Sequence, residues 1–381
     1  MIVLVCAWAL AMTPDEAVRA ATAFDPTLAE ADAERLEAKG ERRAASGLRH
    51  NPELELAADL GGARLEASVT QPLSLTGAGF ADARSGRFRA EAAETDYHRA
   101  LLTSAAEARR AWAVLAAAEG RLRAAEAERR GAAVARSATE ARRGVGEASD
   151  LALELARLDE ARAVAGWLQA LDTRAQAQAA LAALTGDASA AAEGDPMLAA
   201  PRPGSAGVRS DLVAALARVE AANAALARER AEVLPALGLG VFVEQDDNGT
   251  LLGPAVQVEL PIWQQNADGR GQASAALRVA EAQLSATRAR AEAEQAAATA
   301  RLDALAGAGA GLAPEVERSA EVALRAIELG VTTGELNPIQ AAWSRAQVFE
   351  GQRSWYDARL AEAEARIGVA LATENTGLLA L

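Results

Sequence analysis

The chain has 381 residues, a length that suggests two or three domains, and half are hydrophobic while only 3% are aromatic. Alanine carries the apolar fraction, which suits long, closely packed helices better than one compact core. A formal net charge of −14 argues against a nucleic-acid partner, and one cysteine with two histidines excludes intrachain disulfides, thiolate clusters and a His/Cys zinc site within one chain.

Residues 1–12 read as a signal-like segment. Met1 to Ala11 is apolar but too short to span a membrane as a helix, and Ala9-Leu10-Ala11 has the small-x-small form of a signal-peptidase site without a basic stretch before it. Cys6 stands in a poor context for lipidation. Thr13-Pro14-Asp15-Glu16 is a helix start with a capping box, and the helix is expected to run to about Ser46 with an interruption near Asp25-Pro26.

Asn51-Pro52 ends that helix and a strand pair follows, Glu53 to Leu60 and Arg64 to Leu73 around Gly61-Gly62-Ala63. Leu54, Leu56, Ala58 and Leu60 alternate with Glu53, Glu55, Ala57 and Asp59. Leu65, Ala67 and Val69 alternate with Arg64, Glu66, Ser68 and Thr70. One apolar and one charged face fit a soluble sheet packed on a core, and fit as well a membrane barrel with lipid outside and water inside. Alternation alone favours the soluble sheet. The flanking helices are too long to fold back compactly over so few strands.

From Ala81 to about Arg143 the chain reads as one helix of roughly 90 Å if continuous. Arg143-Gly144-Val145-Gly146 breaks it, Glu147-Ala148-Ser149-Asp150 starts a second helix, and Thr185-Gly186 ends that one. Residues 187–207, with Pro196, Pro201 and Pro203, read as a linker. A helix from about Ser210 to Leu234 then leads into a second hairpin. There Leu237, Leu239, Val241 and Val243 share a face, as do Val256, Val258, Leu260 and Ile262, around Asp246-Asp247-Asn248-Gly249. A helix is expected from about Gln272 to Leu305, broken at Ala306 to Gly311 with Pro314. It resumes to Leu329, turns at Gly330 to Gly334 and returns to about Leu371. Residues 373–381 read as a short loose tail.

The chain therefore divides into a first repeat, 13–186, and a second, 208–372. Pro52 and Pro235, Pro72 and Pro261, and the motifs at Gly146-Glu147 and Gly334-Glu335 recur in one order at offsets of about 183 to 189 residues, the mark of a tandem duplication. No Ser/His/Asp or Cys/His set has supporting context. The glycines at 307, 309 and 311 follow a helix rather than a strand, unlike a phosphate-binding loop. Neither an enzyme nor a cofactor is expected.

Several pieces together resemble the TolC family of outer-membrane efflux channels, and most of all its heavy-metal, CzcC-like branch. They are Asn51-Pro52-Glu53-Leu54-Glu55 leading to Gln71-Pro72-Leu73-Ser74-Leu75-Thr76-Gly77, Leu260-Pro261-Ile262-Trp263-Gln264-Gln265-Asn266, Gly146-Glu147-Ala148-Ser149 with Leu151, Leu312-Ala313-Pro314-Glu315, and Gly334-Glu335-Leu336-Asn337. The resemblance covers nearly all the chain after residue 13. It implies a mainly α protein with a small β part, built of duplicated helix–hairpin–helix repeats. Three copies would close a twelve-stranded outer-membrane barrel, four strands per chain, on a periplasmic α-barrel. It also implies a periplasmic adaptor and an inner-membrane pump of the RND type as partners, with metal cations favoured as cargo and no chemistry in the channel.

If the apolar faces meet lipid, Glu53, Glu55, Asp59, Glu66, Gln257 and Glu259 face the lumen, with Arg64 as a partial offset, and favour cations. Ordinary solvated faces are the plain alternative. Gly146, Glu147, Asp150, Gly334, Glu335, Asn337 and Gln340 are the candidate tip and aperture residues. Acidic residues that the family often carries after the second tip are missing from Asn337-Pro338-Ile339-Gln340-Ala341-Ala342-Trp343. For Glu147, Asp150 and Glu335 a helix-terminal role is favoured over gating. Phe242 and Trp263 are the main candidates for an aromatic girdle. Methionine is almost absent after Met12, which speaks against a methionine relay for soft metal ions. The competing reading is a periplasmic coiled-coil adaptor or scaffold without a barrel.

Overall fold

A computed structural model describes residues 11–45, 51–59, 64–73, 77–202, 204, 207–233, 236–246, 249–259, 265–309 and 315–379. The signal-like segment up to Leu10, the turn residues Gly61-Gly62-Ala63 and Asp247-Asn248, Trp263 with Leu260 to Gln264, and Leu312-Ala313-Pro314 lie outside the described residues. The elements are α1 (Pro14–Phe24), α2 (Pro26–Ala45), β1 (Glu53–Asp59), β2 (Arg64–Leu73), α3 (Ala78–Gly144), α4 (Asp150–Thr185), α5 (Ser210–Ala231), β3 (Ala236–Asp246), β4 (Gly249–Glu259), α6 (Ala267–Gly309), α7 (Glu315–Thr333) and α8 (Pro338–Ala372). Two compact units result. One holds Met1–Pro26, Leu101–Gly207 and Ala293–Leu381; the other holds Thr27–Ala100 and Val208–Glu292. Each unit draws on both sequence repeats.

In the first unit Trp112 of α3 is buried with Leu102 and Leu115, Leu181 of α4 and Ile367 of α8. Its indole Nε1 donates to the Met12 carbonyl at 2.6 Å, which fixes the entry into α1. The Thr13–Glu16 capping box forms as expected, with the Thr13 N–H donating to Glu16 Oε2 at 2.7 Å. One turn of α3 away, the buried Arg109 donates from Nε to the Leu378 carbonyl at 2.8 Å and from Nη2 to Asp15 Oδ1 at 2.6 Å. Burial lowers the Arg109 pKa, and the Asp15 carboxylate opposes that shift.

Residues 373–379 are therefore not the loose tail that the sequence suggests for this stretch. Leu378 is fully buried, and Asn375 caps the turn Thr376–Leu378 by accepting from the Gly377 N–H at 2.8 Å. The described part of the linker is also packed. Ala190, Ala192 and Ala199 join the Trp112 core, and Arg359 of α8 holds Asp195 at 2.5 Å. Small residues and prolines looked like spacer in the sequence because nothing local shows what they pack against.

The second unit contains the sheet and the helix segments that lead into and out of it. Ser85 of α3 donates to the Ala221 carbonyl of α5 at 3.1 Å, and Arg84 pairs with Glu220 at 2.8 Å. Glu94 of α3 pairs with Lys39 of α2 at 2.6 Å. The four strands form one antiparallel sheet in the order β1-β2-β3-β4, so the two hairpins lie side by side through β2 and β3.

Several helix bounds differ from expectation. Helix α6 begins five residues early, at Ala267, and α5 stops at Ala231. Helix α7 passes through Gly330 and ends at Thr333 instead of turning at Gly330. The glycine there admits the Leu336 side chain, which occupies the place of a Cβ at 2.7 Å, so it serves close approach rather than a break.

Candidate functional site

Register places the expected residues on two faces of the sheet. Leu54 opposes Val69, which opposes Val241, which opposes Pro254. Leu56, Ala67, Val243 and Leu252 form the next such row. Side chains of directly opposed residues share a face, so these rows, with Leu239 and Val256, make one continuous apolar face. Leu54 is 64% exposed, Leu56 67%, Leu252 67% and Val256 65%. No described element covers this face. That outcome goes against the soluble sheet favoured by alternation, because a sheet packed on its own core buries such residues.

On the opposite face the rows are Glu53–Thr70–Gly240–Ala255, Glu55–Ser68–Phe242–Gly253 and Ala57–Glu66–Glu244–Leu251, with Gln257 beside Gly238. Glu53, Glu55 and Gln257 are exposed and Glu66 is half-buried. Asp59 and Glu259 occupy the register positions opposite Arg64 and Ala236. The face also holds two residues that the sequence reading missed or misplaced. Glu244 stands directly across from Glu66, and the alternation of β3 was the signal that could have found it. Phe242, an expected girdle residue, belongs to the charged face instead, because Val241 and Val243 take the apolar one.

Helix termini place the tip residues. At the end of α3 the Glu147 N–H donates to the Arg142 carbonyl at 2.8 Å and the Gly146 N–H to the Arg143 carbonyl at 3.0 Å. That is a Schellman closure, and it needs the left-handed φ of +81° that Gly146 adopts. Gly334 takes φ +80° at the other tip. Ser149 caps α4 by accepting from the Ala152 N–H at 3.1 Å. Asn337 and Gln340 form a capping box on α8, with the Gln340 N–H donating to Asn337 Oδ1 at 2.8 Å. Arg143 Nε lies 2.5 Å from Asp150 Oδ1, and Arg142 Nε lies 3.8 Å from Glu147. Asp150 is thus paired with Arg143 at the start of α4, and Glu147 lies near Arg142 in solvent. Arg142 also reaches the second tip, 3.6 Å from where a Cβ on Gly334 would stand. The structure brings the two tips together, which spacing alone could not show. Glu335 is exposed beside them.

No helix among the described residues is long and apolar enough to cross a membrane, which says nothing of strands. Neither a family model nor a curated protein sequence matches the chain. Solved structures do. A membrane protein from Pseudomonas aeruginosa is 20% identical, with 94% of this chain and 90% of that one covered at a TM-score of 0.75. The outer membrane protein VceC of Vibrio cholerae is 18% identical over 95% of this chain and 96% of that one, at 0.71. The fold is that of outer-membrane channel proteins. CusC, described through its transmembrane channel formation, shares this channel fold at 16% identity over 95% and 92% of the two chains, at 0.73. The channel fold is also the one that the resemblance to the TolC family implies. Its four-stranded sheet and long helices are those set out above.

Proposed function

We propose that the protein is the outer-membrane component of a tripartite efflux system, a passive exit duct without catalytic activity. Three copies each give four strands to a twelve-stranded barrel in the outer membrane, and the long helices extend into the periplasm. The tips around Gly146 and Gly334 meet a periplasmic adaptor, through which an inner-membrane pump of the RND type delivers cargo. Metal cations are the favoured cargo, on the likeness to the heavy-metal branch. The observation that carries this reading is the uncovered apolar face of the sheet, backed by a face rich in carboxylates. Lipid satisfies the first and a water-filled lumen the second, while closure leaves no free strand edge. A coiled-coil scaffold has no use for either face.

Envelope fractionation followed by sizing of the detergent-extracted protein tests this. The expected result is outer-membrane material at a mass near three times 39.3 kDa. A monomer or dimer released with the soluble fraction would sink the channel.

A further inference from the structure

Helices α3, α7 and α8 of the first unit line a cleft of about 390 Å³. Val134 of α3 and Leu324, Ile327 and Val331 of α7 form its apolar wall. Ile327 and Val331 are buried and also belong to the small core around Ala341 of α8. Arg345 of α8 lines the same cleft and is only 6% exposed. Its guanidinium meets one acceptor among the described residues, Asp159 Oδ2, 2.8 Å from Nη2, and its buried Nε has no hydrogen-bond partner there. The stem of this side chain lies against Gly131 of α3, with Cδ 3.2 Å from the point a Cβ on that glycine would occupy. Glycine inside α3 thus leaves room for the arginine to reach the cleft. The exposed lining residues Arg130, Arg325 and Glu328 mark its mouth. Arg325 is paired with Glu321 at 3.0 Å. Arg130 donates to the Glu126 carbonyl of its own helix at 3.4 Å and meets no carboxylate among the described residues.

We infer that this cleft binds a single-chain amphipathic carboxylate, a medium-chain fatty-acid anion, one for each copy of the chain. The valine, leucine and isoleucine wall takes the alkyl tail, and Arg345 and Arg130, whose donors are not all met, take the head. Neither half of the cleft suits a simpler ligand. An uncharged apolar molecule would seal off the Arg345 guanidinium without an acceptor, and a small inorganic anion would leave the apolar wall wet. Three arginines against one glutamate in the lining disfavour an amine head on the same tail. A methylene takes about as much space as a water molecule, roughly 30 Å³, so a chain of about ten carbons fills most of the cleft. The bound tail ties α7 to α3 close to the end of α7. All the lining residues belong to the first unit, so the site does not depend on the barrel proposed above.

Native mass spectrometry of the full chain, extracted in a neutral detergent and stripped of lipid, tests this. The protein would be incubated with decanoate, with decyltrimethylammonium or with butyrate at one concentration. Decanoate is expected to add once per chain, and the cation of equal length and the short acid not at all. Dilauroylphosphatidylglycerol has two chains, exceeds the cleft and should not displace decanoate. Two variants locate the site. Ala127→Phe fills the cleft from α3 without touching a charge and should abolish the adduct. Arg130→Gln, at an exposed position, removes part of the head site and should weaken binding by about threefold or more. Sizing and melting are the folding controls, and Arg130→Gln carries the test if Ala127→Phe does not fold. Absence of a decanoate adduct would overturn the site and leave a cleft filled by water. Equal uptake of decyltrimethylammonium, or displacement by the phospholipid, would overturn the ligand class. Undiminished adducts in the folded variants would place the binding elsewhere on the protein.

Discussion

Asn266 shows how one side chain can tie a hairpin to its helices. It precedes α6, at a left-handed φ of +45°, and donates from Nδ2 to Glu229 Oε2 at 2.6 Å and to the Glu229 carbonyl at 3.2 Å. Glu229 belongs to the last turn of α5, so the chain entering the second hairpin is fastened to the chain leaving it. The Asn266 amide is the main cause holding the Glu229 carboxyl below its ordinary value of about 4.5, helped by Arg228 and opposed by burial. A lowered folded value means that the contribution is complete above the unfolded pKa and is lost as the pH falls through the folded one. Asn266→Ala removes a hydrogen bond to a charged group and should cost about 1–2 kcal/mol. Melting of the purified protein from pH 7 down to pH 3 checks this. The variant should melt lower at neutral pH, and the gap should narrow in acid. A constant gap would mean that Glu229 is not the partner that matters. The sequence placed Asn266 at a hairpin exit but showed nothing of Glu229, 37 positions earlier, because the link is tertiary.

At the scale of elements, close packing of long helices rests on small residues placed opposite large ones. Gly120 lies inside α3, where alanine would by itself favour the helix by about 1 kcal/mol. The Tyr356 ring of α8 occupies the place of the missing Cβ, and Tyr356 is buried among Ala117 and Trp355. Overpacking against a buried ring costs about 1–3 kcal/mol, more than the helix gains. Gly120→Ala should therefore lower the apparent melting temperature, whereas Gly351→Ala in α8, where no described atom stands within 4 Å, should hold or raise it. If both variants melt alike, the contact between Gly120 and Tyr356 is not what selects glycine. Secondary structure itself was legible at this scale. The capping box at Thr13, the break at Asp25 and the hairpins follow local rules, whereas the capping box at Asn337 was found only in the structure. What local rules missed was the packing of the described linker residues and of residues 375–378, whose partners Trp112, Arg109 and Arg359 come from distant helices.

At the scale of the whole molecule, three copies of the charged sheet face would line one lumen. Glu53, Glu55, Glu66 and Glu244 then recur three times, and fixed carboxylates in a narrow aqueous passage concentrate cations. The joint replacement Glu55→Gln, Glu66→Gln and Glu244→Gln keeps the size of each side chain and removes its charge. Reversal potentials across a potassium chloride gradient should show cation selectivity in the wild type that falls by about twofold or more in the variant. Unchanged selectivity would return these residues to the status of solvated polar positions.

The sequence by itself determined the period of each element. Helical runs rich in alanine, two alternating hairpins, their caps and turns, and the duplication all depend on neighbours within a few residues or on a repeat of the same string. It also determined that each hairpin has one apolar and one charged face. Only the tertiary structure decided what those faces meet. Alternation has the same form whether the apolar side packs on a core or stands open, and the difference lies in whether any other part of the chain covers it. Leu54 and Val256 are exposed because no described element does. The same reasoning separates the tips, where spacing named the glycines but only packing brought Arg142 against Gly334. It also separates Phe242, whose face follows from the period of β3 but whose ring's position over Gly253 depends on strand register, a property of two strands that neither contains alone.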